Sequence, residues 1–196
     1  SDLYVTHPGG GGDPSRSTVN LNGDAVVANR ANGSDKASAI KIAGDLSGCI
    51  DRNGNGKIDT ATGTTPIPWP AGMAQSPDEC VLWFTKLTAQ SLPRAAGWNA
   101  ETSELGQQVY IGLHNTSQLL RLDGKTGAIL KTINVAPNNP YGLVLDKDGD
   151  VWIRGSNGTL ARVSVRAGDT VKQYPDNGCA YGIAADAKGR IYTSWA

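Results

Sequence analysis

Histidine is nearly missing: the 196-residue chain has only His7 and His114, far apart in sequence. No C-x-x-C, H-E-x-x-H or G-x-S-x-G motif occurs, so the usual zinc, redox and serine-hydrolase signatures are absent. Net charge is also missing. Eighteen basic residues balance eighteen acidic ones, and nothing in that balance asks for nucleic acid or an acidic membrane as a partner. No apolar run reaches 18 residues, which excludes a helical membrane span. No basic-then-apolar leader opens the chain, so any signal peptide is expected to have been removed or left out. Phe and Met occur once each, charged residues make up 18%, and helix-period stretches are scarce. Glycine is plentiful at 25 residues. These totals describe a turn-rich, all-β, secreted-type protein.

The order of the residues adds a repeat. "PYGLVLDKDGDVWI" from Pro140 and "AYGIAADAKGRIYT" from Ala180 align at an offset of 40. The alignment matches Tyr141 with Tyr181, Gly142 with Gly182, Asp146 with Asp186, Gly149 with Gly189, and Trp152 with Tyr192. "QVYIGLHNTSQLLRLD" (Gln108 to Asp123) lies 42 residues before "DVWIRGSNGTLARVSV", and "NGDAVVANRANGS" lies 126 before its counterpart. Each unit reads as four short strands separated by Asp-Gly, Asn-Gly and Gly-Asp turns. Four antiparallel strands per 40–42 residues is a β-propeller blade, which needs neighbours to bury both of its faces. The expected fold is one all-β propeller domain over residues 1–196, with three complete blades and partial blades at both ends. "SDLYVT" is expected to be the fourth strand of a preceding blade, and the remaining blades are expected on a longer chain or a partner chain.

These segments resemble the repeat cores of bacterial NHL-type and virginiamycin-B-lyase-like propellers, in which "xGIAxDxxGxVW" opens each blade. The resemblance is good over 140–196, fair over 105–139 and loose over 1–47. It implies fold more than chemistry. A lyase of that family uses a histidine-and-glutamate site at the propeller mouth. No histidine pair stands on corresponding blade positions here, so that activity is not carried over.

Residues 44–80 interrupt the first complete blade between its third strand ("ASAIKIA") and its fourth ("VLWFTKL"). Pro66, Pro68 and Pro70 rule out a central strand in this insert. "DRNGNGKIDTAT" lies on the calcium loop of an EF-hand: Asp51, Asn53 and Asn55 at positions 1, 3 and 5, Gly56 at the turn, the Lys57 carbonyl at 7 and Asp59 at 9. Thr62 stands where a bidentate glutamate belongs, and flanking helices are absent. A structural Ca2+ is the expected cofactor, with missing ligands supplied by Asp45, Asp78 or Glu79. Cys49 and Cys80 bracket the insert and are expected to form a disulfide in an oxidising compartment: secreted, periplasmic or cell-surface. Cys179 is left over.

Any ligand is expected on the face formed by the loops from second to third strand and from fourth strand to the next first strand. Arg30, His114 and Arg154 are the candidate contacts there, with Tyr141 and Tyr181, facing a glycan, peptide or protein. Asn32, Asn115 and Asn157 read as turn formers, and Trp83, Trp98 and Trp152 as core or blade-interface residues. "THPGGGGDPSRS" reads as a long loop on that face. The function expected is a non-enzymatic extracytoplasmic module for binding or scaffolding. The alternative is a propeller lyase or hydrolase with its site at the channel mouth, partly on blades outside this chain.

Overall fold

The computed structural model describes residues 2–101, 106–175 and 182–194. Three four-stranded antiparallel sheets follow one another along the chain. The first contains β1 (Pro14–Val19), β2 (Ala25–Asn29), β3 (Ser38–Ile42) and β4 (Val81–Lys86). The second contains β5 (Pro93–Trp98), β6 (Gln108–Leu113), β7 (Gln118–Asp123) and β8 (Ile129–Asn134). The third contains β9 (Pro140–Leu145), β10 (Val151–Gly155), β11 (Thr159–Ser164) and β12 (Thr170–Pro175). A hairpin of β13 (Ile183–Ala185) and β14 (Ile191–Thr193) opens a fourth unit. Each sheet is a blade whose spatial order follows the sequence. The first strands β1, β5, β9 and β13 neighbour one another, so they line the common axis.

Local turn chemistry accounts for the repeat identities. Asp146 accepts hydrogen bonds from the backbone N–H groups of Asp148 and Asp150 and from Trp152 Nε1. Asp186 does the same with Lys188, Arg190 and the Tyr192 hydroxyl. One aspartate therefore closes the hairpin turn and pins an aromatic on the next strand.

Alternation along the strands sends residues to the two faces of each blade. Val26, Ala28 and Ala39 meet Val109, Ile111, Leu120 and Leu122 between the first two blades. Tyr110, Leu119 and Ile133 meet Val151, Ile153 and Val163 between the next two. Close approach is part of this packing: a Cβ on Gly112 would stand 2.6 Å from Pro140 Cβ. Buried Lys41 spans the first interface, pairing with Asp24 at 2.9 Å and donating to the Gly124 carbonyl.

The outer face of the first blade is covered differently. Ile40, Ile42 and Val81 pack against Trp69 of the insert and against Tyr4 and Val5. Phe84 meets the rings of Trp69 and His7 edge-on, and burial lowers the His7 pKa. Within the segment "SDLYVT", the described residues 2–6 are thus not a blade strand. Residues 2–6 form no ladder, and Leu3 N–H donates to the Gly63 carbonyl of the insert. The expected long glycine loop is also shorter, because β1 already begins at Pro14. The insert leaves β3 and returns to β4, closed by the Cys49–Cys80 disulfide.

Candidate functional site

Each of the three complete blades opens in the same way. Pro14, Pro93 and Pro140 begin the innermost strands, where a missing N–H is tolerated. One residue later the register slips, leaving Ser15, Arg94 and Tyr141 on bulges. The residue before each proline takes a backbone N–H from the loop after the second strand. Arg30 donates to Asp13, His114 to Leu92, and Ser156 to Asn139. Arg30, His114 and Ser156 are therefore equivalent positions on three blades, at one end of the inner strands.

This corrects the sequence expectation for Arg154. It lies within β10, is 0% exposed, and donates from Nη1 to the Thr159 carbonyl. The rim position belongs to Ser156, 42 residues after His114. Arg30 is on the rim but held by Asp13, with Nε–Oδ2 at 2.5 Å and Nη2–Oδ1 at 3.0 Å. These bonds hold the Asp13 carboxyl below its ordinary pKa against the effect of burial, with Arg94 adding to the shift. Tyr181 and Cys179 lie outside the described residues.

Tyr141 is the hub. The Arg94 guanidinium lies 4.4 Å from its ring centroid and donates through Nη2 to its hydroxyl. The Arg16 guanidinium lies 5.1 Å from the same ring, and the His114 ring meets it edge-on at 6.2 Å. Sequence reading missed Arg16 and Arg94, because only the bulges after Pro14 and Pro93 reveal where these side chains fall. Arg94 has no carboxylate within ion-pair distance among the described residues, and its Nε is out of water without an acceptor. Around His114, Nε2 lies 2.8 Å from Ser156 Oγ and Nδ1 lies 2.9 Å from Asn115 Oδ1. Asn115 and Asn157 brace neighbouring loops, donating from Nδ2 to the Gln90 and Pro137 carbonyls.

A cavity of about 670 Å³ opens at the other end of the inner strands, between Val19, Trp98, Leu143 and Leu145. Of its charged lining, Asp148 pairs with Lys147 and Asp146 closes its hairpin, while Glu101 and Arg166 also border it.

In the insert, Asp51 accepts from the backbone N–H groups of Gly54, Asn55 and Gly56. Gly54 and Gly56, at φ 70° and 81°, allow the chain to wrap around it. Asn53 and Asn55 donate from Nδ2 to Asp59 Oδ2 at 2.8 and 2.7 Å, and their Oδ1 atoms accept from Asn55 and Lys57 N–H. Lys57 Nζ is 3.4 Å from Asp59 Oδ1. The two amide bonds and Lys57 lower the Asp59 pKa. Of the three additional acids considered, Asp78 reaches the loop only at its Thr60–Ala61 end, and Glu79 reaches its body. Glu79 accepts from Arg52, Asn53 and Asp59 N–H, and these bonds lower its pKa, that from Asp59 most. Asp45 instead caps a short 3-10 turn, and Asp78 holds Thr60 and Ala61. Among the described residues no three carboxylate, imidazole or thiolate groups converge as a ready-made metal cluster. The donor set of Asp51, Asn53, Asn55, Asp59 and the Lys57 carbonyl still suits a hard cation, once the two amides turn their oxygens inward.

No family model matches the chain, and no curated protein matches it. Solved structures do. Virginiamycin B lyase from Staphylococcus aureus superposes with TM-score 0.60 at 14% identity, covering 99% of this chain and 52% of that one. Hydrazine synthase from Kuenenia stuttgartiensis gives 0.62 at 11%, covering 98% and 44%. The WD40 β-propeller domain of Doa1 gives 0.59 at 11%, covering 92% and 47%. The chain spans about half the length of the structures it matches. At these identities the likeness is one of fold, and that fold is the β-propeller.

Proposed function

We propose that this chain is an extracytoplasmic β-propeller module of NHL type that binds a polar ligand, anionic or hydroxyl-rich, at the Tyr141 end of its axis. A glycan or a peptide has that chemistry. The observation that carries the reading is the convergence of Arg16, Arg94 and His114, from two blades, on the Tyr141 ring of a third. Guanidinium groups give charge-assisted hydrogen bonds, and an aromatic face gives a stacking platform. The Asp51–Asp59 loop holds a structural Ca2+, and the Cys49–Cys80 disulfide supports an oxidising compartment. Glycan and peptide arrays test the binding reading. Arg94→Ala with Tyr141→Ala is expected to lower binding at least tenfold, while Arg52→Ala in the insert leaves it unchanged. Ligand-induced shifts clustered on residues 51–69 would show that the wrong end was chosen.

A further inference from the structure

We propose that Ser156, His114 and Asn115 form a nucleophile, general base and orienting group, and that this rim transfers acyl groups from carboxylic esters. The proposal rests on the reading that the Tyr141 end is the ligand site, and it names the chemistry done there.

The hydrogen-bond network fixes the protons. Asn115 Nδ2 donates to the Gln90 carbonyl at 2.9 Å, which turns Asn115 Oδ1 toward His114. An amide oxygen can only accept, so His114 Nδ1 carries the hydrogen. Nε2 is then the lone-pair nitrogen, and it faces Ser156 Oγ at 2.8 Å. A serine hydroxyl donating to an imidazole that is itself oriented by a third group is the arrangement that activates a nucleophile. Ser156 and Asn115 are both exposed, so a substrate can reach the hydroxyl.

The reaction balances without a cofactor. Ser156 Oγ attacks the ester carbonyl carbon while its proton passes to His114 Nε2. The tetrahedral intermediate collapses, the C–O bond to the alcohol breaks, and Nε2 returns the proton to the leaving oxygen. Water then attacks the acyl-serine, again giving a proton to Nε2, and collapse reforms the Ser156 hydroxyl and releases the acid. Asn115 is the positioning residue. The cationic groups on Tyr141, the next ring along from His114, favour esters that carry a negative charge elsewhere in the molecule.

A fluorophosphonate probe and p-nitrophenyl acetate test this on the intact chain, with peptide mapping of the modified residue. Labelling is expected at Ser156, at least tenfold above Ser156→Ala and His114→Ala, with Asn115→Ala in between. Acetate release by His114→Ala is expected to fall about 100-fold or more. Nitrogen NMR of His114 reads the tautomer independently of any variant, and protonation on Nε2 would overturn the assignment. An unlabelled Ser156 in a protein whose Tyr141 signals still shift with inorganic phosphate would sink the catalytic proposal and leave the binding reading standing. Silence in both would remove both.

Discussion

Ser156 and His114 hold the same place in successive blades, and their side chains meet there, Oγ to Nε2, at 2.8 Å. The contact ties two blades together at the axis end. It also shows why Arg154 does not belong to the rim. The spacing between the second and third blades at this loop is 42 residues, whereas the spacing of 40 holds between Tyr141 and Tyr181. Applying the shorter step moves the rim by two residues, from an exposed loop to a buried strand.

Arg154→Ala is accordingly a stability variant. Loss of a fully buried long side chain that also caps the Thr159 carbonyl is expected to cost about 2–4 kcal/mol. Urea unfolding measures the loss. An unchanged midpoint together with lost ligand binding would restore Arg154 to the rim.

Calcium is expected to raise the melting temperature. At a free concentration 100 times the dissociation constant, linkage gives about 2.7 kcal/mol. Asp51→Asn with Asp59→Asn removes the effect, and EDTA reverses it in the wild type only. Limited proteolysis between Asn53 and Lys57 reads the same event locally. Identical melting curves with calcium and with EDTA would leave the loop a polar turn.

Much of the fold was legible because its determinants are local. Asp146 and Asp186 each close a hairpin within four residues and pin an aromatic two positions further on, so the motif repeats in sequence as it does in space. The ligand end was legible only in part. Tyr141 and His114 stand in repeat positions, but Arg16 and Arg94 are placed by a one-residue slip that no periodicity shows. Asn115, His114 and Ser156 combine an adjacent pair with a partner from the next blade, and a catalytic motif search along the chain cannot see that.

Reduction of the Cys49–Cys80 bridge, which spans 31 residues of sequence, is expected to cost roughly 3–4 kcal/mol through the entropy of the unfolded chain. Calorimetry with and without reductant measures it. Hydrogen exchange should place the opening in residues 44–80 first, because the contacts between blades do not involve the bridge.

Acid is expected to loosen the insert before the blades. Glu79 and Asp59 have folded pKa values below their ordinary 4.5 and 3.8. Their stabilisation is therefore complete above about pH 4.5 and is lost as the pH falls through the lower folded values. Trp69 fluorescence followed from pH 6 downward reports it, since that ring is buried against the first blade. A signal that changes above pH 5 and is flat below would contradict the assignment.

The cover that Trp69, Tyr4 and Val5 form over Ile40, Ile42 and Val81 has a consequence for how the molecule is assembled. A blade can dock against another only by offering its apolar face, and here one side of the first blade has already been given to the chain's own excursion. Growth of the stack is therefore directional. The first blade can fold with its excursion as a finished unit and act as a seed, and each later blade condenses on the side that faces β5 and beyond. Such a seed presents its remaining apolar face toward β5, which narrows the surface through which two unfinished copies could pair.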